Sequence, residues 1–130
     1  GEENLLCLPG DRYTGENIFI HEFAHTLMNL ALPFIPGGDD IIQQVKDAYA
    51  DAVMSGLWQN TYAGSNYEEY WAEGTQAYFG AQKFAASADG VHNEITTRAK
   101  LVDYDPVLAD LVAEVMDESW SYDLSCGGPT

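Results

Sequence analysis

The chain has 130 residues, of which 46% are hydrophobic, and 21 acidic residues against five lysines and arginines give it a net charge of −16. This length suits a single domain with an apolar core, and we expect residues 1–130 to form one domain, alone or within a longer chain. The scarcity of basic residues argues against binding to nucleic acids or to anionic membranes, and no apolar run approaches the ~18 residues of a membrane span.

The two cysteines lie near the ends of the chain, at positions 7 and 126. A disulfide between Cys7 and Cys126 would tie the ends together and would suit a secreted or extracytoplasmic protein. Two unpaired thiols are the alternative, because no feature of the sequence fixes the distance between the cysteines.

The first half of the chain predicts two helices after an irregular or short extended lead-in over residues 1–14. Thr14 can cap the first helix, which runs from about residue 15 to residue 32, and Asp39 can cap the second, from about residue 40 to residue 55. The apolar positions at helical spacing in the first helix are Phe19, Phe23, Leu27 and Leu30.

The second half of the chain predicts three more helices, each with a signal at its start. The starts are Asn66 for a helix over about residues 67–87, Thr97 for a short helix to about Tyr104, and Asp105-Pro106 for a last helix to about Ser119. No alternating run typical of a strand is found. We therefore predict a mainly α domain with at most a minimal β-hairpin or edge strand.

The strongest functional signal is the segment His21-Glu22-Phe23-Ala24-His25 within the first predicted helix. Histidines four residues apart lie on one face of a helix, so both imidazoles can bind one ion. Glu22 is positioned to accept a proton from water at that ion. This pattern is typical of catalytic zinc, which takes nitrogen ligands, a third protein ligand and a water in an open position.

The third metal ligand must come from elsewhere in the chain, and the acidic segment of the third predicted helix is the candidate. Glu69 and Glu73 are four residues apart and share a face of that helix. One of them can bind the metal while the other accepts the free N–H of a ligand histidine, which fixes the tautomer of the imidazole. The residues alone leave open which glutamate takes which role.

The two motifs together resemble the catalytic domain of the anthrax lethal factor group of gluzincins, which are zincin metallopeptidases. The first motif is the histidine segment, and the second is the segment from Tyr62 to Glu73, with its Glu-aromatic-aromatic-Ala-Glu pattern. The resemblance covers roughly residues 13–80. It implies a zincin-like domain in which His21, His25 and Glu69 bind one zinc ion.

The resemblance also implies roles for three neighbouring residues. Glu22 becomes the general base, Glu73 the partner of a ligand histidine, and Tyr62 the phenol that stabilises the oxyanion of the intermediate. Tyr67 and Tyr70 compete with Tyr62 for the phenol role, although both belong to the third predicted helix. Zincins place a small sheet before the histidine helix, so the 20 residues before the first histidine imply a reduced sheet or a longer parent protein.

These features lead us to expect a zinc metalloendopeptidase of the gluzincin type with one catalytic Zn²⁺. The metal would activate a water that attacks the peptide bond, with Glu22 as general base. The expected partner is a peptide or protein substrate, and neither a nucleic acid nor a membrane. The alternative is a zincin-like metal-binding recognition module without catalytic activity.

Overall fold

The computed structural model describes residues 1–116, and this part of the chain consists of α-helices and loops without any strand. The prediction of a mainly α domain is therefore confirmed. No helix within this range combines the length and the apolar character that crossing a membrane requires. Residues 1–116 form six α-helices, which are α1 (Glu2–Leu5), α2 (Ile18–Thr26), α3 (Gly38–Met54), α4 (Tyr67–Tyr78), α5 (Arg98–Tyr104) and α6 (Pro106–Val115).

Helix α2 begins later than the sequence predicts, because its cap is Asn17 and not Thr14. The Asn17 side chain accepts a hydrogen bond from the N–H of Ile20 at 3.2 Å. Asn4, in the one-turn helix α1, accepts another from the N–H of Ile18 at 2.9 Å. Two side chains thus satisfy N–H groups that the start of a helix leaves free. The lead-in is partly helical, where an irregular or extended segment was expected.

Helix α2 buries a different face from the one that the apolar spacing predicts. Phe19, Phe23 and Leu30 are all exposed, with Leu30 at 69%. This part of the sequence prediction is wrong, because α4 packs against the face of α2 that adjoins the histidines. The buried apolar residues on that face are Ile20, Ala24 and Met28.

Two irregular turns separate α2 from α3, a π-helical turn at Leu27–Ala31 and a 3₁₀ turn at Leu32–Phe34. Helix α3 then begins at Gly38, after Gly37, whose φ of 79° suits a glycine. Asp39, the predicted cap, lies inside the first turn of this helix. The predicted length of α3 is close to the observed one, although its cap differs.

Helix α4 is the centre of the domain, and residues 70–79 are all buried. Asn66 caps the helix as predicted, since its side chain accepts hydrogen bonds from the N–H groups of Glu68 and Glu69 at 3.0 and 2.9 Å. The cap therefore fixes the first turn of α4, to which Glu69 belongs.

Helix α4 ends at Tyr78 and does not continue to about residue 87 as predicted. Gly80, with φ of 70°, closes the helix. Its N–H donates to Ala77 O at 3.1 Å, and the N–H of Ala81 donates to Gln76 O at 2.8 Å, which is the pattern of a Schellman motif. Gly80, which lies inside the helix predicted from sequence, thus ends the observed α4.

Thr97 caps α5 and Asp105 caps α6, as the sequence predicts. Asp105 is buried, and its Oδ2 also accepts hydrogen bonds from Trp58 Nε1 at 2.9 Å and from Tyr70 Oη at 2.8 Å. The Asp105 carboxylate therefore joins the start of α6 to α4 and to the loop that precedes α4.

Helix α6 ends at Val115. The predicted helix end near Ser119 and the predicted partner of Cys7, Cys126, both lie outside the described residues.

Candidate metal centre

The side chains of His21, His25 and Glu69 converge between α2 and α4. His21 Nε2 lies 3.1 Å from His25 Nε2 and 3.1 Å from Glu69 Oε2, and His25 Nε2 lies 3.3 Å from the same oxygen. Zinc binds such atoms at about 2.0–2.2 Å in a tetrahedron, whose vertices are therefore about 3.3 Å apart. These three atoms, which we call the ligand triangle, have the spacing of three vertices of a zinc site, and no fourth histidine, cysteine or carboxylate of residues 1–116 joins the group.

Two helices hold the ligand triangle. His21 and His25 are one turn apart on α2, so both imidazoles project to the same side. Glu69 lies in the first turn of α4. The indole N–H of Trp71 donates to Ala24 O at 3.0 Å and fixes α4 against α2 between the two histidines. Each ligand atom is thus carried by a helix and not by a loop.

Glu69 Oε2 is buried, and it accepts no hydrogen bond from the residues that the structure describes. A buried carboxylate oxygen without a donor is costly. This oxygen faces the Nε2 atoms of two imidazoles, and neutral rings with their hydrogen on Nδ1, the form that binds a metal through Nε2, turn lone pairs toward it. A divalent cation within the triangle would satisfy all three atoms at once, so the residues present fit a zinc ion.

The surroundings of His21 favour positive charge. Burial of the ring opposes its protonation, but hydrogen bonds to Glu73 and Gln76 and the charges of Glu73 and Glu69 outweigh this effect and raise the pKa of His21 to about 9. The same negative groups would attract a metal cation. Because a ligand imidazole must be unprotonated at the binding nitrogen, a metal has to displace this proton.

Two acceptor atoms face the other nitrogen of His21. Gln76 Oε1 lies 2.8 Å from His21 Nδ1, and Glu73 Oε1 lies 3.2 Å from it. The other oxygen of Glu73 accepts a hydrogen bond from Gln82 Nε2. The two glutamates that the sequence leaves open thus contact opposite sides of the ring, Glu69 at Nε2 and Glu73 at Nδ1.

Tyr62 borders the ligand triangle from the loop before α4. Its hydroxyl donates to Glu69 Oε1 at 3.1 Å, and its ring stacks on that of His21 with centroids 6.3 Å apart. Burial, followed by the negative charges of Glu69, Glu73 and Glu22, raises the pKa of Tyr62. The phenol is therefore a hydrogen-bond donor at neutral pH and above, and Glu22, next to His21 on α2, is exposed.

The two alternative tyrosines have other contacts. Tyr70 is buried, and its hydroxyl donates to Asp105 Oδ2 at 2.8 Å. Tyr67 is half-buried, and the Lys46 ammonium lies 5.0 Å from the centroid of its ring. Of the three tyrosines, Tyr62 is the one whose hydroxyl contacts the glutamate of the ligand triangle.

Sequence reasoning missed Gln76, which contacts the same nitrogen as Glu73. Gln76 is seven residues after Glu69 and three after Glu73, so the three side chains lie on one face of α4. This spacing is a signal that could have identified it. The remaining histidine, His92, lies outside the ligand triangle and pairs with Glu16 at 3.3 Å.

Comparisons with protein-family models, with curated proteins and with solved structures give no match to this chain. The membership of the gluzincins that the two motifs suggest therefore stays a prediction.

Proposed function

We propose that this protein is a zinc-dependent metallopeptidase that hydrolyses peptide bonds. The observation that carries the proposal is the ligand triangle, in which His21, His25 and Glu69 hold three atoms 3.1 to 3.3 Å apart. Their charge and spacing suit one Zn²⁺. An open fourth position separates catalytic zinc sites from structural ones, in which the protein supplies all four ligands.

The residues beside the triangle have the chemistry that peptide hydrolysis requires. Bound zinc would supply a Lewis acid that polarises the carbonyl and lowers the pKa of water. Glu22 takes the proton of the attacking water and then gives it to the leaving amine. Tyr62, a phenol that is protonated at neutral pH, turns its hydroxyl from Glu69 Oε1 to donate a hydrogen bond to the developing oxyanion.

A peptide or a protein is the substrate class that we propose. The chain carries a net charge of −16, which would repel the phosphates of a nucleic acid. Amide carbonyls need a base for the water and an acid for the leaving amine, and Glu22 can serve as both.

Hydrolysis of a mixed peptide library by the chain with one equivalent of Zn²⁺ tests this function. Glu22→Gln keeps the shape of the side chain and removes the base, so we expect the cleavage rate to fall by at least about 100-fold. Zinc should stay bound, because Glu22 is not part of the ligand triangle. Glu68→Gln is the matched control, since it makes the same chemical change beside Glu69 and should cleave at close to the wild-type rate.

Three results would contradict parts of the proposal. Equal cleavage by Glu22→Gln and the wild type would remove Glu22 from the mechanism. Zinc binding without cleavage of any peptide would favour a metal-binding recognition module. A chain that takes up no zinc, as measured by metal analysis after dialysis, would contradict the metal site itself.

A further inference from the structure

Gln76 is a fully buried amide in direct contact with a residue of the ligand triangle. Its Oε1 lies 2.8 Å from His21 Nδ1, which is closer than the 3.2 Å of Glu73 Oε1. A side chain that contacts a ligand imidazole on its far nitrogen controls which nitrogen carries the proton.

The surroundings of Gln76 determine which way its amide faces. Nε2 donates to two backbone carbonyls, Asn17 O at 3.3 Å and Ala81 O at 3.4 Å. Carbonyl oxygens only accept hydrogen bonds, so the amide nitrogen must face them and Oε1 must face His21. An amide oxygen also only accepts, and His21 Nδ1 must therefore carry a hydrogen.

The two carbonyls are themselves held in place by the ends of the ligand-bearing helices. Asn17 caps α2, and Ala81 lies in the Schellman motif that closes α4. The N–H of Asn17 also donates to Ala81 O at 2.9 Å, which ties the two segments together. Backbone carbonyls thus set the orientation of the Gln76 amide, and the Glu16 carboxylate, which also hydrogen-bonds Gln76, favours the same orientation.

We infer that Gln76 is a positioning residue, which holds His21 as the Nδ1–H tautomer and turns the Nε2 lone pair into the ligand triangle. The inference rests on the proposed zinc site. It divides the partners of His21 by role: the neutral amide fixes the tautomer, while Glu73 adds negative charge at the same nitrogen. Gln82 holds the second oxygen of Glu73, so each partner of His21 has its own support.

Zinc affinity and the imidazole proton of His21 together test this role. Gln76→Met fills a similar volume with only the weak acceptor of a thioether, so we expect zinc affinity to fall by about 10- to 100-fold in competition with a chromophoric chelator. In ¹⁵N-labelled protein, the His21 Nδ1–H resonance should be downfield and protected from exchange in the wild type. It should broaden or move upfield in the variant, with and without zinc.

Thr75→Val is the matched control for loss of a buried polar group next to Gln76. Thr75 is buried, and its hydroxyl donates to Trp71 O at 2.8 Å, away from His21. This variant should lose some stability and keep both the zinc affinity and the Nδ1–H resonance. Should Gln76→Met not fold, Gln76→Asn serves in its place, because its side chain is one methylene too short to reach Nδ1.

The inference is overturned if Gln76→Met binds zinc as tightly as Thr75→Val and keeps the wild-type Nδ1–H resonance. Glu73 alone would then suffice to orient the ring. A wild-type chain that binds no zinc would contradict the proposed function, but the resonance comparison in the metal-free proteins would still show whether Gln76 accepts the Nδ1–H of His21.

Discussion

Glu69 and Glu73 are the same residue type on the same face of α4, and their contacts give them different roles. Glu69 turns a buried oxygen toward the Nε2 atoms of both histidines, whereas Glu73 faces Nδ1 of His21. One helical turn separates the two carboxylates, which is enough to put one on each side of the imidazole ring. The nitrogen that each carboxylate faces therefore decides which one can share a metal with both histidines.

Paired substitutions at these glutamates give a prediction about zinc affinity. Glu69→Gln removes the charged ligand atom. Zinc affinity should therefore fall by more than the about 10- to 100-fold that is typical when a residue hydrogen-bonded to a metal ligand is lost. Glu73→Gln removes the charge and one of the two acceptors, so the remaining amide oxygen can accept from His21 or from Gln82; the fall in zinc affinity should lie within that range or below it. Chelator competition measures both variants under the same conditions.

The decisive result is which of the two variants loses more zinc affinity. A larger loss in Glu73→Gln than in Glu69→Gln would make Glu73 the ligand and would require a rearrangement of α4. Circular dichroism of both variants serves as the control, because each must retain the helical content of the wild type for the comparison to hold.

Between elements, α4 and α6 cross so closely that Gly74 meets Leu108. A Cβ at position 74 would lie 2.8 Å from Leu108 Cγ and 3.1 Å from Cδ1. Carbon atoms at optimal contact are about 3.5–4.0 Å apart. Leu108 is fully buried, so it has no exposed space to move into. Gly74 thus permits the approach of α6 to the helix that carries Glu69.

Gly74→Ala should destabilise the fold by about 1–3 kcal/mol, because overpacking outweighs the roughly 1 kcal/mol that alanine gains over glycine in a helix. Urea unfolding followed by circular dichroism measures the change. In a Leu108→Ala background the clash is absent, so the same substitution should be neutral or stabilising. Equal losses in both backgrounds would argue against the close crossing.

Three of the five helix caps were predicted from sequence, whereas the predicted caps Thr14 and Asp39 were wrong. Asn66, Thr97 and Asp105 cap helices as predicted, because a cap depends on a few neighbouring atoms of the same segment. Phe19 and Phe23 have helical spacing and are exposed, whereas a second apolar stripe on α2, which includes Ile20 and Ala24, is buried. The choice between the stripes depends on where α4 packs, which is a long-range property.

The residues of the candidate site also differ in this respect. Local sequence predicts some of their positions, and long-range contacts determine others. The spacing of His21 and His25 places both on one helix face, and this follows from helix geometry alone. Gln76 shares a helix face with Glu73, but its role depends on two carbonyls, one of them 59 residues away in sequence. No local pattern could reveal which end of the amide faces His21.

At the scale of the whole molecule, the net charge of −16 makes the carboxylates repel one another and attract cations. Binding at a specific cation site must be distinguished from this general effect. Carboxylates spread over the surface attract any cation, and salt screens their mutual repulsion beyond a Debye length of about 8–10 Å. The ligand triangle differs, because its two nitrogens suit zinc and not the hard cations that prefer oxygen. The identity of the ion therefore distinguishes binding at the ligand triangle from general attraction to surface carboxylates.

Thermal unfolding in different ions tests this separation. Zinc at about 100 times its Kd should stabilise the wild type by about 2.7 kcal/mol and raise its Tm by several degrees, since zinc binds the folded chain. Mg²⁺ or NaCl should raise the Tm only by screening, and equally in His25→Ala, which lacks one vertex of the triangle. The zinc-specific part of the rise should vanish in His25→Ala. If zinc raised the Tm of both proteins equally, the ion would be acting through surface carboxylates and not through the triangle.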